Sequence, residues 1–202
     1  MVDRVSAAEV SVDGRRARRD RGRLAVIEAV LDLLEEGENP PLASHVAKRA
    51  GVSSATLFRY FDTIDELQHE ATSRFFERNA PLFEVPQIGV GAFSARADRY
   101  AAARVTLYEA IAPVARLGRA RAFDRPLFAE TLHAVRQGMA DQIRTHFAPE
   151  LQALTPAARD DAVGLVGTIT SFESWDQMRR DFGRSQAQIR RAWRGAIQAA
   201  CT

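Results

Sequence analysis

One stretch limits this chain more than any other: Val46-Ala-Lys-Arg-Ala-Gly-Val-Ser-Ser-Ala-Thr-Leu-Phe-Arg-Tyr-Phe61. Its apolar residues recur at helical spacing on both sides of Gly51, as Val46, Ala47 and Ala50 before it and Leu57 and Phe61 after it. Gly51 stands where a helix C-terminus calls for positive φ. Ser53 or Ser54 can cap the next helix by accepting a hydrogen bond from one of its free N–H groups. Val52 then plugs the angle between the helices, and Ser54, Ala55, Thr56, Arg59 and Tyr60 stay near an outer face. Two short helices about a tight glycine turn make a helix-turn-helix, whose second helix lies in the DNA major groove.

The run from Ala47 to Phe61, followed by Asp62-Thr-Ile-Asp-Glu-Leu67, resembles the DNA-binding domain of TetR-type transcriptional regulators. The shared marks are an Ala-Gly-Val-Ser turn, an aromatic-rich recognition helix ending Tyr-Phe, and a short linker with a Glu-Leu pair. Two departures stand out. Phe58 sits where the family usually carries Tyr, so a phosphate-contacting hydroxyl is missing. Asn39-Pro-Pro-Leu42 replaces the more usual Thr-Thr-Val-like opening of the preceding helix.

The resemblance implies a ligand-responsive regulator, usually a repressor, that binds a pseudo-palindromic double-stranded operator as a homodimer and is released by a small-molecule effector. It makes Arg59, Thr56 and Ser54 the candidates for base or near-base contacts, with Ala55 beside them. Tyr60, Lys48 and Ser53 are the candidates for phosphates, and His45 and Thr63 complete the set.

The formal charge of +2 is too small to argue for nucleic acid, although the pI is near 9.1. Local clustering does argue for it. Six arginines face a single aspartate between residues 15 and 23. Such a block is either a solvated tail or, ahead of a helix-turn-helix, an arm seeking phosphates or the minor groove, with Arg18 and Arg19 in it.

The 202 residues accommodate a small domain joined to a larger one. The expected fold is all-α. Residues 1–17 read as a flexible basic arm, 18–68 as a three-helix helix-turn-helix domain, and 69–202 as a helical ligand-binding and dimerisation domain. The first helix should begin near Arg18 and end at Gly37. Thr63 and Glu66 form a capping box for a fourth helix reaching about Asn79, and Pro86 to Gly91 reads as a loop. Further helices are expected from Ala92 to Arg116, from Asp124 as cap to Phe147, from Thr155 to Phe182, and from the Ser185–Gln188 capping box to Ala200. No stretch has a strand's alternation.

The helix from Thr155 is apolar nearly all round, which requires burial on more than one side. Val163, Val166, Gly167, Ile189, Trp193 and Ile197 are therefore expected in a four-helix dimer interface, a buried central helix being the alternative. A ligand pocket is implied by the resemblance. Its candidates are Tyr100, Arg104, Tyr108, Phe128, Thr131, Met139, Thr168, Phe172 and Trp175, any one of which is also ordinary core. Arg104, if it faces inward, needs a partner.

Enzyme chemistry finds no support. There is no glycine-rich phosphate loop and no Gly-x-Ser-x-Gly elbow, and the four histidines lack zinc spacing. No metal or cofactor is expected. Cys201, the one cysteine, excludes an intramolecular disulfide and is expected as an exposed or fraying thiol. No apolar run approaches the ~20 residues of a membrane helix, and the arginine-rich start is unlike a secretion signal, so a cytoplasmic location is expected. Two rivals remain: a helical ligand- or partner-binding protein that regulates no promoter, and a carboxylate-bridged helical metalloprotein.

Overall fold

The structure, a computed structural model, describes residues 7–202, with side chains from Arg16 onward. Eleven helices and no strand are found among them, so the chain is all-α. They divide into two compact units, one ending at Phe76 and the other beginning at Glu77, inside the expected second domain.

The first unit holds α1 (Ala7–Glu35), α2 (Ala43–Arg49), α3 (Ser54–Tyr60) and most of α4 (Ile64–Arg78). Helices α2 and α3 have seven residues each, too short to persist alone, so packing must hold them. Val26, Ile27, Val30, Leu31 and Leu34 of α1 are buried, as are Val46, Ala47, Leu57, Phe61, Leu67 and Ala71. Full burial of a side chain such as Leu57 is worth about 1.5–3 kcal/mol. Gly51 adopts φ +67°, and two bonds close the turn: Val52 N–H to the Ala47 carbonyl at 3.0 Å and Gly51 N–H to the Lys48 carbonyl at 3.2 Å.

Helix α1 begins well before the expected Arg18. Arginine is a strong helix former, and residues 15–23 hold six of them. Residues 7–17 of the expected arm are thus helical and continuous with the helix that carries Arg18 and Arg19, while residues 1–6 of that arm lie outside the described residues. The Thr63 hydroxyl accepts the Glu66 N–H at 3.0 Å, as a capping box requires. The Glu66 carboxylate takes the Asp62 N–H at 2.8 Å, one residue earlier than the box has it.

The second unit contains α5 (Ala80–Phe83), α6 (Phe93–Ala122), α7 (Pro126–His146), α8 (Ala148–Ala153), α9 (Pro156–Ile169), α10 (Phe172–Arg180) and α11 (Gln186–Ala200). Helix α6 is its axis, packed by α5, α7, α10 and α11, while α9 packs on α7 and α11. Thr155 and Ser185 cap as expected, and the Ser185–Gln188 box makes both its bonds.

Three expectations fail here. The helix from Thr155 breaks at Thr170–Ser171, where the Ser171 hydroxyl accepts the Ser174 N–H at 3.1 Å and starts α10. Asp124 does not cap α7. Arg125 holds that place without a side-chain cap, and the Asp124 carboxylate pairs with the Arg125 guanidinium at 3.0 Å. Cys201 is buried, and burial pushes its thiol up to about 11. Among the described residues no helix is long and apolar enough to cross a membrane.

Candidate nucleic-acid interface

A seven-residue helix has room for one buried face, and Leu57 occupies that of α3. Positions three and four apart share a side, so Ala55, Phe58 and Arg59 lie together away from Leu57, with Ser54 at their edge, and all four are exposed. Thr56 and Tyr60 flank it, half-buried. The Ser53 hydroxyl caps the helix, accepting the Thr56 N–H at 3.1 Å and donating to Thr56 Oγ1 at 3.0 Å.

The far end of α3 is fastened from α1. Arg23 Nη1 donates to the Tyr60 carbonyl at 2.9 Å, and its guanidinium carbon lies 4.3 Å from the centre of the Phe61 ring. Its Nε donates to Glu70 Oε1 at 3.2 Å and its Nη2 pairs with the same carboxylate. The Glu70 hydrogen bond raises the guanidinium's pKa above its ordinary value. One arginine of the basic block is thus spent on holding the helix-turn-helix together. Tyr60 rests between the Arg59 guanidinium, 5.8 Å from its ring centre, and Gly22 of α1.

On α2, His45 and Lys48 are exposed. Glu38, which sequence reasoning passed over, organises this end. It accepts the Leu42 N–H at 2.8 Å where Leu42 itself has no side chain to cap α2. His45 Nδ1 lies 2.8 and 2.9 Å from its two oxygens. The Leu42 N–H first, and His45 second, hold the Glu38 carboxyl below the usual range. An acid four residues before an uncappable helix start was the signal available in the sequence. Arg49 Nη2 reaches back to Glu36, just past the end of α1, at 2.5 Å. The Thr63 hydroxyl is engaged in capping, and Arg18 and Arg19 are exposed along α1. The faces of α2 and α3 therefore offer one lysine, the exposed Arg59 guanidinium beside the Tyr60 ring, hydroxyls and an apolar patch, a combination suited to phosphates and base edges.

In the second unit the candidates separate. Tyr108, Phe172 and Trp175 are buried together, with ring centres 5.6 Å (Tyr108–Phe172) and 6.2 Å (Tyr108–Trp175) apart. The Tyr108 hydroxyl donates to the Thr170 carbonyl at 2.9 Å and lies 3.6 Å from Met139 Sδ. Burial pushes its pKa up. Phe128 is also buried.

Arg104 is 1% exposed, 4.9 Å from the Tyr100 ring centre. It donates to the Phe83 carbonyl at 3.2 Å and to Gln142, and its Nε has no acceptor. Its partners are neutral groups and a ring face. A groove of about 450 Å³ runs beside α6 and α10, lined by Glu109, Pro113, Arg116, Arg179 and Arg180 among others. Trp175 alone of the expected ligand residues borders it.

Two ligand candidates stand apart from the Tyr108–Phe172–Trp175 cluster. Thr168 is exposed on the outer side of α9, and the Thr131 hydroxyl donates to the Leu127 carbonyl of its own helix at 2.9 Å. The expected dimer residues are corrected as a group. Val163, Val166, Ile189, Trp193 and Ile197 are buried within the subunit itself, and a β-carbon on Gly167 would meet Ile143 of α7 at 3.7 Å. Contact with α7 and α11 uses up this face of α9. The outward stripe of α9 is Asp161, Gly164, Leu165 and Thr168, and that of α11 is Ala187, Arg191, Arg194 and Gly195. Among the described residues no group of three or more His, Cys, Asp or Glu could hold a metal ion.

Residues 43–71 match the model of the bacterial regulatory proteins, tetR family. A tetR-family transcriptional regulator from Streptomyces coelicolor shares 20% identity, with 88% of this chain and 81% of that one covered and a TM-score of 0.67. A transcriptional regulator from Rhodococcus sp. Rha1 shares 22%, covering 88% of this chain and 95% of its own, with a TM-score of 0.64. At these identities the likeness is one of fold. No curated protein matches the chain.

Proposed function

From a chain that belongs, by its DNA-binding segment, to the tetR family of bacterial regulatory proteins, we propose a cytoplasmic transcriptional repressor that binds a pseudo-palindromic operator as a homodimer. The observation that carries this reading is the outward face of α3, where Ser54, Ala55, Phe58 and Arg59 are exposed while Arg23 fixes the helix end behind them. Arg59, Thr56 and Ser54 read bases, with Ala55 beside them. Tyr60, Lys48, Ser53, His45 and Thr63 sit on phosphates, and Arg18 and Arg19 add salt-sensitive affinity from α1.

The homodimer forms through the outward stripes of α9 and α11. Leu165 is 56% exposed there, Gly164 and Gly195 permit close approach, and Asp161 on one stripe complements Arg191 and Arg194 on the other. A two-fold axis repeats each such pairing.

A small-molecule effector binds in the second unit, at the Tyr108–Phe172–Trp175 cluster and the groove beside it, whose volume is in the range of small-molecule sites. Effector and operator then weaken each other's binding by the same factor.

The test is a selection of bound genomic fragments by the purified protein, footprinted at two salt concentrations. The expected result is a protected pseudo-palindrome whose half-sites lie about 34–36 Å or a multiple apart, with steep salt dependence. Absence of binding even at low salt would overturn the reading.

A further inference from the structure

Phe58 is the residue that departs from the family pattern on the recognition helix, and it is not hidden. It is 47% exposed. Single exposed apolar residues are ordinary on protein surfaces, but this one lies on the face that a helix-turn-helix turns toward base edges. Ala55, three residues earlier on the same side, is exposed too, so the two make an apolar strip flanked by Ser54 and Arg59. Among the described residues the Phe58 ring has no aromatic partner or cation above it. A phenyl ring cannot donate to a phosphate or accept from a base. The one apolar feature displayed in the major groove is the C5-methyl group of thymine.

We propose that Phe58, with Ala55, is a specificity-determining residue that reads a thymine methyl in each operator half-site. This rests on the regulator reading and adds the base for which the apolar strip is built. Polar neighbours divide the work: Arg59 suits a guanine edge, and Phe58 rejects positions whose major-groove edge offers only polar atoms. Desolvating the ring against a methyl group is favourable, and placing it against the amino group of cytosine leaves a buried donor unpaired.

The experiment takes the operator obtained from the fragment selection. Each thymine is replaced singly by uracil, which removes the methyl and keeps the pairing and the O4 acceptor. The wild-type protein and Phe58→Ala are titrated against every such duplex. The expected result is one thymine in each half-site whose replacement weakens the wild type about fourfold, the factor for one buried methyl-sized group, and leaves Phe58→Ala unchanged. Phe58→Tyr, which keeps the ring, should retain the methyl dependence. Operators indifferent to every uracil, or equally sensitive in both proteins, overturn the proposal and leave the regulator reading standing. A selection that yields no preferred sequence overturns both.

Discussion

The Tyr60 hydroxyl lies against the backbone of Gly22: a β-carbon at position 22 would stand 2.4 Å from it. Gly22→Ala must therefore move the Tyr60 ring. Alanine gains about 1 kcal/mol over glycine within a helix, which offsets part of the overpacking cost of about 1–3 kcal/mol. The net loss of stability should be at most about 2 kcal/mol. DNA affinity should fall about tenfold on operator and unrelated DNA alike, because a backbone-positioning contact is lost. In a Tyr60→Phe background the added methyl has more room, so its effect on affinity should shrink. Additive effects in that double-mutant cycle would rule out the contact as the cause.

Arg23 fastens the end of α3 without standing on its outward face. Arg23→Ala removes a charge-assisted bond to the Tyr60 carbonyl, the pairing with Glu70 and the stacking on Phe61. Half-exposed as the site is, the expected loss is about 1–2 kcal/mol of stability. Operator affinity should drop by more than that of a neutralised surface arginine such as Arg21→Ala. Equal affinities for the two variants, measured at one salt concentration, would refute the anchoring role.

His146 is buried as the neutral ring. Its Nδ1 accepts the Gly89 N–H at 3.1 Å and its Nε2–H donates to the Arg96 carbonyl at 3.0 Å, so the partners leave no place for a second proton. Burial first, then Arg99, Arg96 and Arg104, pull its pKa below the ordinary 6.5. The unfolded chain therefore takes up the proton first as pH falls. The stabilisation is complete above about pH 6.5 and is lost downward toward the folded value, at up to about 1.4 kcal/mol per pH unit. Melting temperatures between pH 7.5 and 5.5 should fall for the wild type and stay nearly flat for His146→Gln. Parallel curves would exclude His146 as the source.

Leu165→Glu places charge in the centre of the proposed subunit contact while leaving the buried faces of α9 untouched. The variant should sediment as a monomer with unchanged helicity. Its operator affinity should fall about a hundredfold, since two linked heads become one. A dimer that persists would move the interface away from α9.

The helix-turn-helix was legible because its turn, its cap and its apolar spacing are local. Gly51 needs positive φ, Ser53 caps three residues ahead, and Leu57 and Phe61 repeat at one helical turn. The body was legible in helices and not in faces. Val163, Val166 and Leu165 look alike in a sequence, yet the first two close the subunit's own core and the third points out. Which side of an all-apolar helix meets which neighbour is decided by long-range packing, on which local periodicity is silent. Arg23 escaped for the same reason in polar form, whereas Glu38 acts only four residues ahead, on Leu42. Arg23 works across a large separation in the chain, and its membership of an arginine block disguised it as one more surface charge.

The outward residues Ser54, Ala55, Phe58 and Arg59 make neither of the two bonds that fasten the ends of α3. Here α3 is clamped at one end by Ser53 and at the other by Arg23 through a main-chain carbonyl, which every residue type at position 60 would supply. The mount is thus indifferent to the letters it displays. Ser54, Ala55, Phe58 and Arg59 form an interchangeable typeface on a fixed carriage, and new operators lie within reach of a few outward substitutions that leave the fold's stability untouched.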